Sequence, residues 1–174
     1  MHFDFDKSIP ILERTPGIIR SLLSGLDGSW IENNDGEKTW SPFDVVGHLI
    51  HGEKTDWIAR MNIILNEGTS RPFDPYDRFA QFEDSKGKTI SMLLDEFESL
   101  RKSDLDTLKR LKPDQATLDL KGMHPSLGEV SLRQLLSTWT VHDLIHICQI
   151  TKTMARQYKE EVGPWLQYIN TINY

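Results

Sequence analysis

The segment 135–150 constrains the fold more than any other part of the sequence. It contains neither glycine nor proline, and its apolar residues recur at helical spacing. His142 and His146 lie four residues apart in it, so their side chains leave a helix about 40° apart, on the same side. Leu135 and Trp139 share that side, where a helix normally buries apolar side chains. The segment therefore predicts half of a metal site inside a helical bundle.

Length, charge and hydropathy exclude several classes of protein. The 174 residues correspond to one domain, and we expect residues 1–174 to form a single one. A net charge of −6, without a run of basic residues, argues against nucleic acid as a partner. No apolar run is long enough to cross a bilayer, and the start of the chain has neither a basic segment nor an apolar signal core. We therefore expect a cytoplasmic protein without a membrane partner.

Hydrophobic periodicity predicts four long helices. The first ends near Asp27, and Pro16 marks either a kink in it or its beginning. The second begins at Ser41-Pro42, a capping residue followed by proline at the first helical position. Their approximate bounds are 9–27, 42–66, 89–112 and 132–158.

The segments between these helices are long. Residues 28–40 are predicted to be a loop, and the aromatic-rich 67–87 is expected to pack over an opening. Residues 114–130 form a further loop, with short extended pieces possible only around 117–120. The economical arrangement is an all-α four-helix bundle with long connecting loops.

A third histidine completes a candidate ligand set. Neutral imidazoles are common ligands of zinc, nickel and iron, and such sites usually have three protein ligands and an open position. His48 is the best candidate, because it shares a face of the second helix with Gly52, whose missing side chain leaves room. The competing interpretation is that His142 and His146 are core or surface histidines bonded to neighbours. Spacing alone does not decide between the two.

Other residues near these histidines are weaker candidates for a functional role. The segment His142–His146 resembles the His-Glu-x-x-His pattern of metalloproteases, but Asp143 is shorter than glutamate and no further ligand motif follows. Asp143 is better interpreted as a residue that orients a ligand or hydrogen-bonds between helices. His51 either supports the site or lies on the helix surface, and His124 either lines a pocket or caps a loop.

The remaining reactive and aromatic residues are interpreted as structural. His2 is near the chain start and has no expected role. Cys148 lies on the other side of the fourth helix from the histidines and is expected to be a small buried residue. The tryptophans at 57, 139 and 165 are expected in the core, with the alternative that some of them line a substrate cavity.

Three segments resemble a known family. They are WSPFDVVGHLIHGE at 40–53, HPSLGEV at 124–130 and WTVHDLIH at 139–146. Together they closely resemble the DinB-like superfamily, which includes YfiT-type metal-dependent hydrolases and bacillithiol transferases. The three histidines on two helices are the most specific part of the likeness.

The resemblance implies an up-up-down-down four-helix bundle, frequent homodimers and a divalent metal held by His48, His142 and His146. The metal would be Ni²⁺ or Zn²⁺, with Fe²⁺ or Mn²⁺ as alternatives. It would lower the pKa of a bound water or thiol, while Asp143 and His51 could support the ligands. The leading hypothesis is a thiol S-transferase that uses a low-molecular-weight thiol cofactor and a small-molecule substrate. The alternatives are a metal-hydroxide-dependent hydrolase and a non-catalytic metal-binding or stress protein.

Overall fold

Four long helical segments form the body of the protein. The structure is a computed structural model, and it describes residues 1–169. In chain order its elements are α1 (Phe5–Leu23), α2 (Gly28–Glu32), α3 (Pro42–Thr55), α4 (Trp57–Asn66), α5 (Ala80–Asp84), α6 (Ile90–Leu111), α7 (Gln115–Leu118), β1 (Lys121–His124), β2 (Gly128–Ser131), α8 (Leu132–Arg156) and a 3₁₀ helix (Gly163–Tyr168).

The order of the helices around the bundle places α3 beside α8. The extensive contacts join α1 to α6 and α8, and join α3 to the same two helices. Helices α1 and α3 therefore lie at opposite corners of the bundle, and so do α6 and α8. The predicted four-helix bundle is confirmed, and its arrangement brings two helices that are far apart in the sequence into contact where the histidines lie. Among residues 1–169, no helix is both long enough and apolar enough to cross a membrane.

Helix α1 continues through Pro16 instead of beginning there, and it ends at Leu23, earlier than predicted. Proline has no backbone N–H, so the carbonyl of Leu12, four residues earlier, loses its helical partner. In the structure this carbonyl accepts a hydrogen bond from Nη1 of Arg101, at 2.8 Å. The interior proline is thus compatible with a helix because a side chain from α6 replaces the missing donor.

The predicted second helix is divided in two. It begins as expected, with a capping box between Ser41 and Asp44. At Asp56 the backbone departs from regular helical angles, with φ −110° and ψ −71°, and α4 follows in place of a continuous helix to Asn66. The hydrogen bond from the Asp56 N–H to the Gly52 carbonyl remains, at 2.9 Å. The change is therefore a kink within one long helical segment.

The loops contain more structure than the sequence predicted. Segments 28–40 and 67–87 include the short helices α2 and α5, and residues 115–118 are helical and not extended. Strands β1 and β2 form an antiparallel hairpin that pairs Lys121 with Ser131 and His124 with Gly128. The hairpin was missed because each strand has only four residues, too few for an alternating pattern.

The core consists of two clusters of buried apolar side chains. One contains Trp57 and Trp139, and the other contains Phe97 and residues of α1, α3 and α8. The guanidinium of Arg101 lies 5.0 Å from the Phe97 ring and 5.2 Å from the Trp139 ring, so it contacts both clusters. The expectation that Trp165 belongs to the core is wrong, because its side chain is 70% exposed.

Candidate metal centre

Three histidine side chains meet between α3 and α8. Nε2 of His142 lies 3.0 Å from Nε2 of His48 and 3.0 Å from Nε2 of His146. One nitrogen from each ring lies within 4.8 Å of the other two, and this group could hold a metal ion. The structure therefore brings together the three residues that the sequence selected as ligands.

The outer nitrogens of two rings have partners that leave the inner nitrogens available. Nδ1 of His146 donates to the side-chain oxygen of Gln149 at 2.8 Å, which leaves a lone pair on its Nε2. Nδ1 of His48 forms a 3.0 Å hydrogen bond with the hydroxyl of Tyr76. This arrangement, with one ring nitrogen hydrogen-bonded and the other directed inward, is typical of metal-binding histidines.

The arrangement of the three Nε2 atoms favours a bound cation over direct contacts between the nitrogens. Lone pairs that point at a common centre repel unless a proton or a cation lies between them. Three imidazoles are also a donor set that zinc, nickel and iron accept. The residues present therefore fit a divalent transition metal.

The three rings are neutral at pH 7. Burial lowers the pKa of His48 to about 4 and that of His142 to about 2, and the neighbouring histidines add to both shifts. Burial also lowers the pKa of His146. A buried imidazolium loses its hydration, so the uncharged ring is favoured. The uncharged ring is the form that binds a metal without first releasing a proton.

Aromatic rings surround the three histidines. Trp57 stacks on Trp139 with 5.6 Å between the ring centroids, and it meets the His142 ring edge-on at 5.1 Å. Trp40 lies 4.8 Å from the His48 ring. The space beside Gly52 is taken by Trp57, since a Cβ at Gly52 would lie 3.2 Å from its indole nitrogen. Gly52 thus makes room for packing, contrary to the expectation that its space was open.

Asp143 hydrogen-bonds between helices, as one of its two sequence interpretations stated. Its carboxylate accepts from Arg101 at 2.5 and 2.9 Å, and Arg101 also donates to Glu53 at 2.8 and 2.9 Å. All three side chains are almost fully buried. Together with the hydrogen bond from Arg101 to the Leu12 carbonyl, the cluster links α1, α3, α6 and α8. It includes Asp143, the residue that follows His142 in the sequence. Buried charges of this kind require such complete pairing.

Other sequence candidates have mixed outcomes. His51 is buried and not on the helix surface, and its ring lies 5.0 Å from that of Tyr76. His124 fits both of its interpretations, because its Nδ1 accepts from the backbone of Ser126 and Leu127 and the residue also lines a cavity. Cys148 is exposed and not buried. His2 is exposed and does not belong to the three-histidine group.

Three contributors were not identified in the sequence, namely Tyr76, Gln149 and Arg101. Tyr76 was one of several aromatic residues in a loop, and nothing in its spacing pointed to His48. Arg101 did carry a signal, because it occupies the position between Phe97 and Leu105 in an otherwise apolar stripe of α6. A charged residue in such a stripe indicates a buried partner.

Comparisons with known proteins identify a family and a similar fold. A family model described as the DinB superfamily matches residues 11–150. YfiT from Bacillus subtilis, whose structure is described as that of a probable metal-dependent hydrolase with an unusual four-helix bundle topology, is 25% identical. The match has a TM-score of 0.76 and covers 88% of this chain and 87% of that one. No curated protein matches the chain.

Proposed function

We propose that this chain, which belongs to the DinB superfamily, is a metal-dependent enzyme that activates a small thiol for transfer to an electrophilic substrate. The observation that carries the proposal is the convergence of three neutral imidazoles, from His48, His142 and His146, on one centre. We propose Ni²⁺ or Zn²⁺ as the ion, with Fe²⁺ or Mn²⁺ as alternatives. Imidazole ligands suit several of these metals, so cellular supply takes part in the choice.

The chain's own side chains hold and orient the ligands. When bound, a divalent ion on three uncharged ligands keeps its full charge and lowers the pKa of a thiol or water toward neutrality. Gln149 and Tyr76 fix the orientation of the His146 and His48 rings through their Nδ1 atoms. Trp40 packs against the His48 ring and Trp57 packs against the His142 ring.

A hydrolase is the second candidate. It is supported by the likeness to YfiT, whose structure is described as that of a probable metal-dependent hydrolase. The same three histidines would serve it, because hydrolysis and thiol transfer differ in whether water or a thiol is activated. A non-catalytic metal-binding or stress protein is the third candidate, and it requires only that the ion be held.

Metal content tests the site itself. The protein is purified without a metal-affinity tag, and its metals are measured by mass spectrometry beside His48→Ala, His142→Ala and His2→Ala. We expect about one divalent ion per chain, lost in the first two variants and retained in the third, whose histidine is exposed. No metal in the wild type, with none taken up from added Ni²⁺ or Zn²⁺, would overturn the proposal.

Turnover assays then separate the candidates. For a transferase, we expect free thiol to disappear when an electrophile such as a haloaromatic compound is added, and not with His142→Ala. Cleavage of esters or amides without any thiol would favour the hydrolase. A protein that retains its metal and performs neither reaction would be the non-catalytic one.

A further inference from the structure

A cavity of about 420 Å³ lies next to the histidine cluster. Three separate parts of the chain form its walls: the start of α4, the segment after it, and the turn of the β1–β2 hairpin. The segment and the hairpin are tied together, because the N–H of Phe73 donates to the carbonyl of Met123 at 2.8 Å. The polar lining residues are Asp56, Arg60, Tyr76, Arg78, His124 and Ser126.

The lining carries more positive than negative charge. It contains two arginines and one carboxylate, in a chain whose net charge is −6. Asp56 pairs with Arg60, whose guanidinium also lies 5.3 Å from the Phe73 ring. Within residues 1–169, Arg78 has neither an ion pair nor a hydrogen bond, and it is exposed. Its guanidinium is therefore available to a ligand with the geometry that suits carboxylates and phosphates.

His124 adds a neutral donor to this cavity. Its Nδ1 accepts from two backbone N–H groups, at 3.1 Å each, so the ring proton lies on Nε2. Burial lowers the pKa of His124, and the charge of Arg60 adds to the shift. The residue is thus a hydrogen-bond donor that carries no charge at neutral pH.

Tyr76 connects the cavity to the candidate metal centre. Its side chain lines the cavity, while its hydroxyl is 3.0 Å from Nδ1 of His48. Tyr76 therefore contacts both the cavity and the histidine cluster.

We propose that this cavity binds the oxyanion, a carboxylate or a phosphate, of a small-molecule substrate whose reacting group lies at the three histidines. Arg78 is the main anion ligand, and His124 and Arg60 line the same cavity. The inference rests on the proposed function, because it assigns a substrate class to that site. It predicts that uncharged analogues bind poorly.

Calorimetry with simple anions tests the assignment. Succinate, inorganic phosphate and the uncharged succinamide are titrated into the full-length protein as purified, and into Arg78→Gln and Arg14→Gln. Arg14 is also exposed and, in the described part of the chain, unpaired, so it controls for the loss of one charge. We expect at least one anion to bind, succinamide not to bind, and Arg78→Gln to weaken anion binding about tenfold, the scale of one charge-assisted hydrogen bond. Arg14→Gln should bind as the wild type does.

The two anions distinguish a carboxylate site from a phosphate site. Failure of both to bind, or equal binding by Arg78→Gln and Arg14→Gln, would overturn the inference. Metal content of the same three proteins is measured separately. A protein that holds its metal but binds no anion contradicts only the cavity assignment, whereas anion binding without any metal contradicts the proposed function.

Discussion

The three histidines differ in what holds them. His146 and His48 each have a hydrogen-bond partner on Nδ1, whereas in residues 1–169 the Nδ1 of His142 has none. His142 is instead positioned by the edge-on contact with Trp57 and by Asp143, the next residue on α8. Its orientation therefore depends on packing and on the helix, and less on a direct partner.

The ionisation of Asp104 should make the stability of the folded protein depend on pH. Burial raises its pKa from 3.8 to about 7, and the charge of Glu53 adds to the shift. A raised carboxyl pKa favours the folded state below the unfolded value near 4, and this advantage is lost as the pH rises from about 4 to 7. Asp104→Asn, which cannot ionise, should therefore be more stable than wild type at pH 8, by about 1–2 kcal/mol after allowance for solvent screening.

Urea unfolding followed by tryptophan fluorescence at several pH values measures this difference. It should shrink as the pH falls toward 4.5. Asp106→Asn is the control, because Asp106 is an exposed carboxylate on the same helix. A stability difference for Asp104→Asn that is the same at every pH, or that is destabilising at pH 8, would show that folding does not raise the pKa of Asp104.

Among the elements, α1 and α6 each contain a polar group that would be unpaired without the other helix. Pro16 would leave the Leu12 carbonyl unpaired inside the bundle, and Arg101 would leave a charge unpaired in an apolar stripe. The hydrogen bond between them, together with Asp143 and Glu53, satisfies both. The position of α8, and of the histidines on it, is thereby coupled to three other helices.

The hairpin packs so closely on α4 that only glycine fits at position 122. A Cβ there would lie 2.7 Å from Cγ1 of Ile64 and 2.8 Å from Cε1 of Phe73. We expect Gly122→Ala to destabilise the fold by about 1–3 kcal/mol in urea unfolding, the usual cost of overpacking.

Gly17→Ala is the control variant for the predicted destabilisation by Gly122→Ala. A Cβ at Gly17 meets nothing within 4 Å, and the residue lies in α1, so alanine should be neutral or stabilise by about 1 kcal/mol. If Gly122→Ala is as stable as wild type, the hairpin can move away from α4, and the position of His124 is then less restricted than the contacts indicate.

At the scale of the whole molecule, α8 has an exposed apolar face. Val141, Leu144 and Ile145 are 52%, 48% and 58% exposed, and their spacing places them on one side of the helix. Neighbouring apolar side chains of this kind are typical of a protein–protein contact. We propose that this face forms the homodimer that the resemblance to the family implied.

Light scattering after size exclusion tests the dimer. The wild type should elute with twice the mass of one chain, and Ile145→Asp should be monomeric. Leu127→Asp is the control, because Leu127 is equally apolar and 74% exposed at the tip of the hairpin. A monomeric wild type, or a dimer that persists in Ile145→Asp, would contradict this assignment of the interface.

Local spacing in the sequence predicts the long helices and the ligand candidates. Helix periodicity and capping involve residues three or four positions apart, so the starts at Pro42 and Leu132 were predicted exactly where they occur. The shared face of His142 and His146 follows from the same geometry. His48 was selected as the third ligand because it lies on a helix face that the same periodicity revealed.

The partners of those residues depend on contacts between helices and loops that local spacing does not predict. The kink at Asp56, the hairpin on α4 and the burial of His51 arise from contacts between segments that are distant in the sequence. Tyr76 reaches His48, and Arg101 reaches Leu12 and Asp143, over separations of 28 to 89 residues. Side-chain periodicity has a range of a few residues, so it shows which side chains share a face but not what packs against that face.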